Sequence, residues 1–249
     1  MKLRHLICWA SLVVATQVQA SPYVYETGTG NPWGQTTNDS AMTAAFGAAN
    51  WSKFQGFSMA GFGAGTSFVF LDGGDSQANQ LNSFLSGNVV AINAWVFGGG
   101  SLFINAAPNQ GGNINLGFGE QLNYTAYSGT ATATAAGVAA GLFAGITQNY
   151  TGNYFSHASV TGPATCFITG QAGCIFAGMG YGAGYVAFGG ETTTNWHAPG
   201  TDAFTLRVHE LTYVAGNANQ NVPEPSSLAL LGLCLAGIGF TRRKKVTPQ

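Results

Sequence analysis

Apolar residues along this chain come in two patterns: short continuous runs closed by turns, and stretches in which they recur at spacings of three and four. TSFVFLDGGD and SLFINAAPNQGG are of the first kind, ending at Asp72 and Asp75 and at Asn105 and Asn109. Runs this short, bounded by turn residues, predict strands buried on both faces. Between them, Leu81, Phe84, Leu85, Val89, Ile92, Trp95 and Val96 fall at helical spacing, with Gly87 as a point of interruption and three glycines as the stop. Strand, helix and strand of these lengths make a βαβ crossover and predict a parallel pairing. Asp39 is placed to cap a helix through SAMTAAFGAA, and Phe204, Val208, Leu211 and Val214 line one face of a last helix. SPYVYE, YFSHASV and GYVAFGG are further strand-like stretches, and Ser128 to Gly145 reads as a strand followed by a small-residue helix. This order predicts the α/β class in preference to an all-β adhesin.

The two ends follow neither pattern. Met1-Lys2-Leu3-Arg4, an apolar stretch from Leu6 to Ala15 and the exit Val18-Gln19-Ala20 have the layout of a secretory signal cut before Ser21. At the other end, an uncharged run from Ser226 to Phe240 follows Val222-Pro223-Glu224-Pro225 and stops at Arg242, Arg243, Lys244 and Lys245. As a helix, these about 15 residues span about 22 Å against a hydrocarbon core of about 30 Å, a marginal anchor whose basic end stays cytoplasmic. The predicted organisation is a signal over 1–20, an extracytoplasmic domain over 21–221 and a sorting tail over 222–249.

Setting the ends aside changes the electrostatics. The whole chain has 249 residues, a formal charge of −1 and only 7% charged side chains, with 46% hydrophobic residues to supply a core. Six of its eight basic residues lie in the ends, so the body keeps Lys53 and Arg207 against eight acids, a formal charge of −6. Nucleic acid is thereby excluded as a partner, because phosphate binding needs clustered Lys and Arg. Of four cysteines the body retains Cys166 and Cys174, which bracket the turn-prone CFITGQAGC. In an oxidising compartment a disulfide between them is expected rather than two buried thiols.

Two resemblances add to this. The Pro-Glu-Pro, the short apolar helix and the basic end resemble the PEP-CTERM sorting signal, also labelled an ice-binding protein C-terminal domain; that label is no evidence of ice binding here. The resemblance implies recognition of Pro223-Glu224-Pro225 by an exosortase after export, transient membrane anchoring, removal of the tail, and release to the cell surface or extracellular matrix. FVFLDGGD, AWVFGGGSLFINAAPN and GYVAFGGETTTNWH together resemble the class I glutamine amidotransferase-like fold. That implies a flavodoxin-like, doubly wound, mostly parallel sheet, with a nucleophile after the third strand and a His with a nearby acid after the last.

The chemistry such a fold would carry is incomplete. Strand ends in an open parallel sheet form the ligand site, and here they present a rim of Glu26, Asp72, Asp75, Asn105, Asn109, Asn195 and His197. The elbow FINAAPN contains no thiol or hydroxyl, so covalent acyl transfer lacks a nucleophile. His197 stands at the resembled position, but HAPG lacks the acid that should follow it. No HxH or HxxxH spacing, GxGxxG in register or GxxxxGK[ST] occurs, so neither a metal nor a nucleotide cofactor is expected. The expected role is non-catalytic binding or structure on a degenerate amidotransferase-like domain, with exopolysaccharide a candidate partner; Trp33, Trp51 and Trp196 are expected to pack in the core, with stacking on sugar rings as the alternative for any that is exposed. The alternative is a surface hydrolase of carbohydrate or peptide that uses His197 with Asp72.

Overall fold

The computed structural model of the chain describes residues 22–218. The signal over 1–20, the Pro-Glu-Pro, the apolar tail helix and the basic end lie outside the described residues. Among those described, no helix is long and apolar enough to cross a membrane.

The first half builds a parallel sheet. β1 (Tyr23–Thr27) is followed by α1 (Thr37–Phe46), β2 (Trp51–Gln55), β3 (Phe68–Asp72), α2 (Ala78–Phe97) and β4 (Ser101–Asn105). β1 pairs in parallel with β2 and β3, and β3 with β4, as the crossover through α2 requires. α2 runs unbroken through Gly87, and α1 starts two residues before Asp39, which lies in its first turn. The strands read as continuous apolar runs because both faces are covered. Tyr25, Phe70 and Phe103 stand side by side in register on one face, at ring distances of 5.0 and 4.8 Å. Val24, Val69 and Leu102 stand on the other, in one core with Leu81, Phe84, Leu85 and Ile92 of α2.

The second half departs from expectation. It contains β5 (Ile114–Gly117), β6 (Glu120–Ala133), α3 (Ala135–Ala139), β7 (Asn149–Thr161), β8 (Thr165–Gly170), β9 (Gly173–Tyr181), β10 (Gly184–Gly189), β11 (His197–Ala198) and α4 (Gly200–Gly216). Of these strands, only β10 joins the parallel set, beside β4. The single eleven-stranded sheet has the order β11-β7-β6-β8-β9-β10-β4-β3-β1-β2, with β5 on β6. Among the described strands, antiparallel pairings outnumber parallel ones, seven to four. A pairing of Val160 with Cys174 closes β7, β6, β8 and β9 into a ring.

The expectation of an α/β domain with a doubly wound, mostly parallel, flavodoxin-like or amidotransferase-like sheet is therefore corrected: the sheet is mostly antiparallel and its second half closes on itself. Two-residue connections, Gln171-Ala172 and Gly182-Ala183, join β8 to β9 and β9 to β10 and allow only antiparallel pairing. Gly184 makes the return possible, since a Cβ there would run into the Val96 and Gly100 carbonyls. The Cys166–Cys174 disulfide is present and ties β8 to β9. α1 and α4 cover the aromatic face of the parallel segment, and α4 packs Leu206, Leu211 and Val214 there beside Arg207 and Glu210. Phe204 and Val208, expected on the inner face, are only partly buried.

Candidate functional site

The carboxyl ends of β3, β4 and β10 converge on a buried polar cluster. Asp72 Oδ1 accepts from the Gly74 amide at 2.9 Å and from Asn105 Nδ2 at 3.2 Å, while Oδ2 accepts from Asn38 Nδ2 at 2.6 Å. Asn105 also clasps Glu191 just beyond β10, donating to its carbonyl at 2.9 Å and accepting from its amide at 3.0 Å. Arg207, in the second turn of α4, reaches down to this level and donates to Glu191 Oε2 at 2.7 Å. Glu210, one turn further, lies 3.4 Å from Arg207 Nε. The guanidinium is flanked by the Phe70 and Phe103 rings, 5.8 and 5.5 Å from their centroids. Asp72, Asn105, Glu191, Arg207 and Glu210 are all buried.

Three carboxyls share one cation, and burial shifts all three toward their neutral forms. Burial pushes Asp72 up to about 6, although Arg207 and three hydrogen bonds pull it down. Burial raises Glu191 against the pull of Arg207, and burial together with Glu191 drives Glu210 well above the usual carboxylate range. Burial disfavours the Arg207 charge, but Glu210, Glu191 and Asp72 outweigh it and hold the guanidinium charged.

The rim residues do not form one site. Glu26 sits on the opposite face of β1 from Tyr25, its Oε2 accepting from the Ser58 amide at 3.0 Å, with Gly61 pressed against Oε1 where no Cβ would fit. Burial raises it to about 7, against the hydrogen bond from the Ser58 amide. Asp75 accepts from Asn109 Nδ2 at 3.2 Å at the surface, and Asn195 donates to Gln35 Oε1 at 3.0 Å. His197 lies flat on Phe155, ring centroids 3.9 Å apart. Its Nε2 meets Thr192 Oγ1 at 2.9 Å. Burial, then the positive Arg207, drive it down to about 3, so the imidazole is neutral. Among the described residues no hydrogen bond or ion pair joins His197 to a carboxylate, Asp72 included. Trp51 donates to Thr43 Oγ1 at 3.2 Å, Trp196 is exposed, and Trp33 packs edge-on to His157 at 4.6 Å.

Arg207, Glu191, Glu210, Asn38 and His157 are absent from the rim that the sequence predicts. Arg207 carries a legible signal, being one of only two basic side chains in the body and set three residues before Glu210 on a helix. A 470 Å³ depression runs along α1 at Thr36, Asp39, Ser40, Thr43 and Ala44. A 260 Å³ cleft separates α2 from β5. Neither is lined by a strand-end acid. No group of three or more His, Cys, Asp or Glu among the described residues is placed to hold a metal. What the buried cluster does chemically is tie β3, β4, β10 and α1 to α4; its acids face one another and Arg207 rather than solvent.

Comparison with known proteins adds one assignment. Residues 221–244 match the PEP-CTERM protein-sorting motif, so the chain carries an exosortase sorting signal at its end. No curated protein matches the chain. Among solved structures it is similar to a β-galactosidase from Rahnella sp. R3, at 12% identity and a TM-score of 0.46 over 79% of this chain and 32% of that one. A ThuA-like protein from Parabacteroides merdae is similar at 15% identity and a TM-score of 0.44, over 82% and 94% of the two chains. A β-galactosidase from Bacillus circulans is similar at 9% identity and a TM-score of 0.47, over 78% and 30%. The chain spans about a third of the length of either β-galactosidase. Likeness of this degree carries neither substrate nor chemistry to this chain.

Proposed function

We propose that the folded body of this exported, exosortase-sorted protein is a non-catalytic binding module of the cell surface or extracellular matrix. The working molecule is the domain over 21–221, freed of its leader before Ser21 and of its tail after a transient stay in the membrane, and exopolysaccharide is its candidate partner. One observation carries this. The polar groups at the strand ends, where an α/β enzyme would present its catalytic side chains, are buried and engaged with one another. Asp72 is held by Asn38, Asn105 and Gly74, Glu191 by Arg207, and His197 by Thr192 against a ring face. A general base needs reach to a substrate proton and a pKa near the working pH. His197, held near 3 and packed flat, has neither.

The test is turnover. The purified protein is incubated with neutral and acidic polysaccharides and with peptide substrates, beside Asp72→Asn and His197→Asn. No product above the level of the two variants is expected; product formation abolished by either substitution would make the protein a hydrolase.

A further inference from the structure

Beside the buried cluster, at the same end of the sheet, three aromatic rings close around a fourth. His157 of β7 meets Trp33 at 4.6 Å, Tyr127 at 4.8 Å and Tyr154 at 5.1 Å, all edge-on, and Tyr127 and Tyr154 lie 5.4 Å apart. Tyr127 and Tyr154 are 37% and 47% exposed, whereas His157 beneath them is only 7% exposed. Asp75 and Asn109, joined by their own hydrogen bond, border the group through the Asp75–Pro108 bridge.

The backbone is strained here in three separate segments. Trp33, Asp75 and Tyr154 adopt φ of 54°, 54° and 64°, a left-handed conformation that costs each about 1–3 kcal/mol and gathers at functional sites. Two buried polar atoms in the same group have no hydrogen-bond partner: the Trp33 Nε1–H donor and His157 Nδ1. Burial lowers the His157 imidazole below its usual value, against the Pro108 carbonyl and the Asp75 charge.

Exposed ring faces beside an amide–carboxylate pair suit a ligand with apolar C–H faces whose edges both donate and accept. The body's two cations are engaged elsewhere: Lys53 with Asp39 and Asn31, and Arg207 in the core. An anionic ligand would find no counter-charge. From this, and resting on the binding reading above, we infer that Tyr127, Tyr154, Trp33, His157, Asp75 and Asn109 form a subsite for one pyranose ring of a neutral glycan. The ring stacks on the exposed tyrosines and its hydroxyls meet the Asp75–Asn109 pair, with Trp33 and His157 as the floor beneath.

The experiment titrates the full-length protein, in mild detergent, with cellohexaose and dextran as neutral probes and oligogalacturonate as an acidic one. It includes Tyr127→Ala, Tyr154→Ala, and the control Phe97→Ala, an exposed ring at the far end of α2. Binding of a neutral probe, weakened about tenfold or more by each tyrosine change and unmoved by the control, is expected. Unchanged circular dichroism and melting midpoint of the variants tie the loss to the site. Neutral-glycan binding that both tyrosine variants retain would overturn the subsite and leave the binding role standing. Binding of the acidic probe alone, or of none, would overturn the neutral-glycan assignment. Reducing ends released during the titration would count against the non-catalytic role alone, with the variants' affinities still deciding the site.

Discussion

Arg207 Nη2 and Glu191 Oε2 meet at 2.7 Å where the two side chains keep only 1% and 2% of their exposure. A pair at this depth stabilises less than its geometry suggests, because desolvation offsets most of the attraction; removing one partner is what costs. Arg207→Met should therefore destabilise the domain by about 3–5 kcal/mol, leaving Glu191 and Asp72 without their cation. Glu210→Gln should cost less, about 1 kcal/mol, since burial and Glu191 already push Glu210 toward its neutral form and an amide can replace a neutral acid. Urea unfolding of the two variants checks both values.

Glu26 gives the domain a pH dependence of the less familiar sign. Its folded value of about 7 lies above the ordinary 4.5, so the fold holds the proton that the unfolded chain releases. The contribution is complete below about pH 4.5 and is lost as pH rises through about 7. Glu26→Gln should match the parent at pH 4 and exceed it by about 2–3 kcal/mol at pH 8, as read from denaturant midpoints at the two pH values.

His197 acts in the opposite direction. The fold depresses it to about 3 from an ordinary 6.5, so its contribution is present above about pH 6.5 and is lost as pH falls toward 3. Relative to His197→Asn, the parent should lose about 2 kcal/mol between pH 7.5 and pH 5. Glu26 and His197 offset each other over part of this range, and only the paired comparison separates them.

The Cys166–Cys174 bridge closes a loop with a sequence separation of eight. Cross-linking a loop that short removes about 2–3 kcal/mol of unfolded-state freedom, so the Cys166→Ser, Cys174→Ser double variant should melt lower by that equivalent. Reductant should lower the melting midpoint of the parent alone, and calorimetry with and without it makes the comparison.

Sorting is expected to depend on the Pro-Glu-Pro. Replacing Pro223, Glu224 and Pro225 by alanine in the native host should leave the tail in place, so that the protein stays with the membrane fraction at higher mass. Mass spectrometry of the surface-released form reads the outcome.

How far the chain discloses its own structure depends on what each segment's pattern encodes. The runs at Phe68–Asp72 and Ser101–Asn105, with the periodic stretch between them, encode a crossover, and a parallel pair forms there. The Cys166–Cys174 turn is equally local and equally legible. β6 and β7 are not: in EQLNYTAYSGTATA and NYTGNYFSHASVT the alternation is blurred by bulges and by small residues, and their partners are set by closure rather than composition. The strand-end residues Asp72 and Asn105 could be picked out because turns follow them. That Asp72 would be buried under Arg207 could not, because a helix face carrying Arg207 and Glu210 looks solvent-facing until the sheet beneath it is known to end in acids.

β4 pairs with β3 early in the chain and with β10 only at the end of the fold, Ser101 meeting Tyr185. Until residues 184–189 are available, the middle of the sheet is an open edge, and closing it requires one of the longest loops in the molecule. Such late closure makes folding slow. The core strand thus stays unmatched along one edge, and the sheet locks only when nearly the whole domain is available.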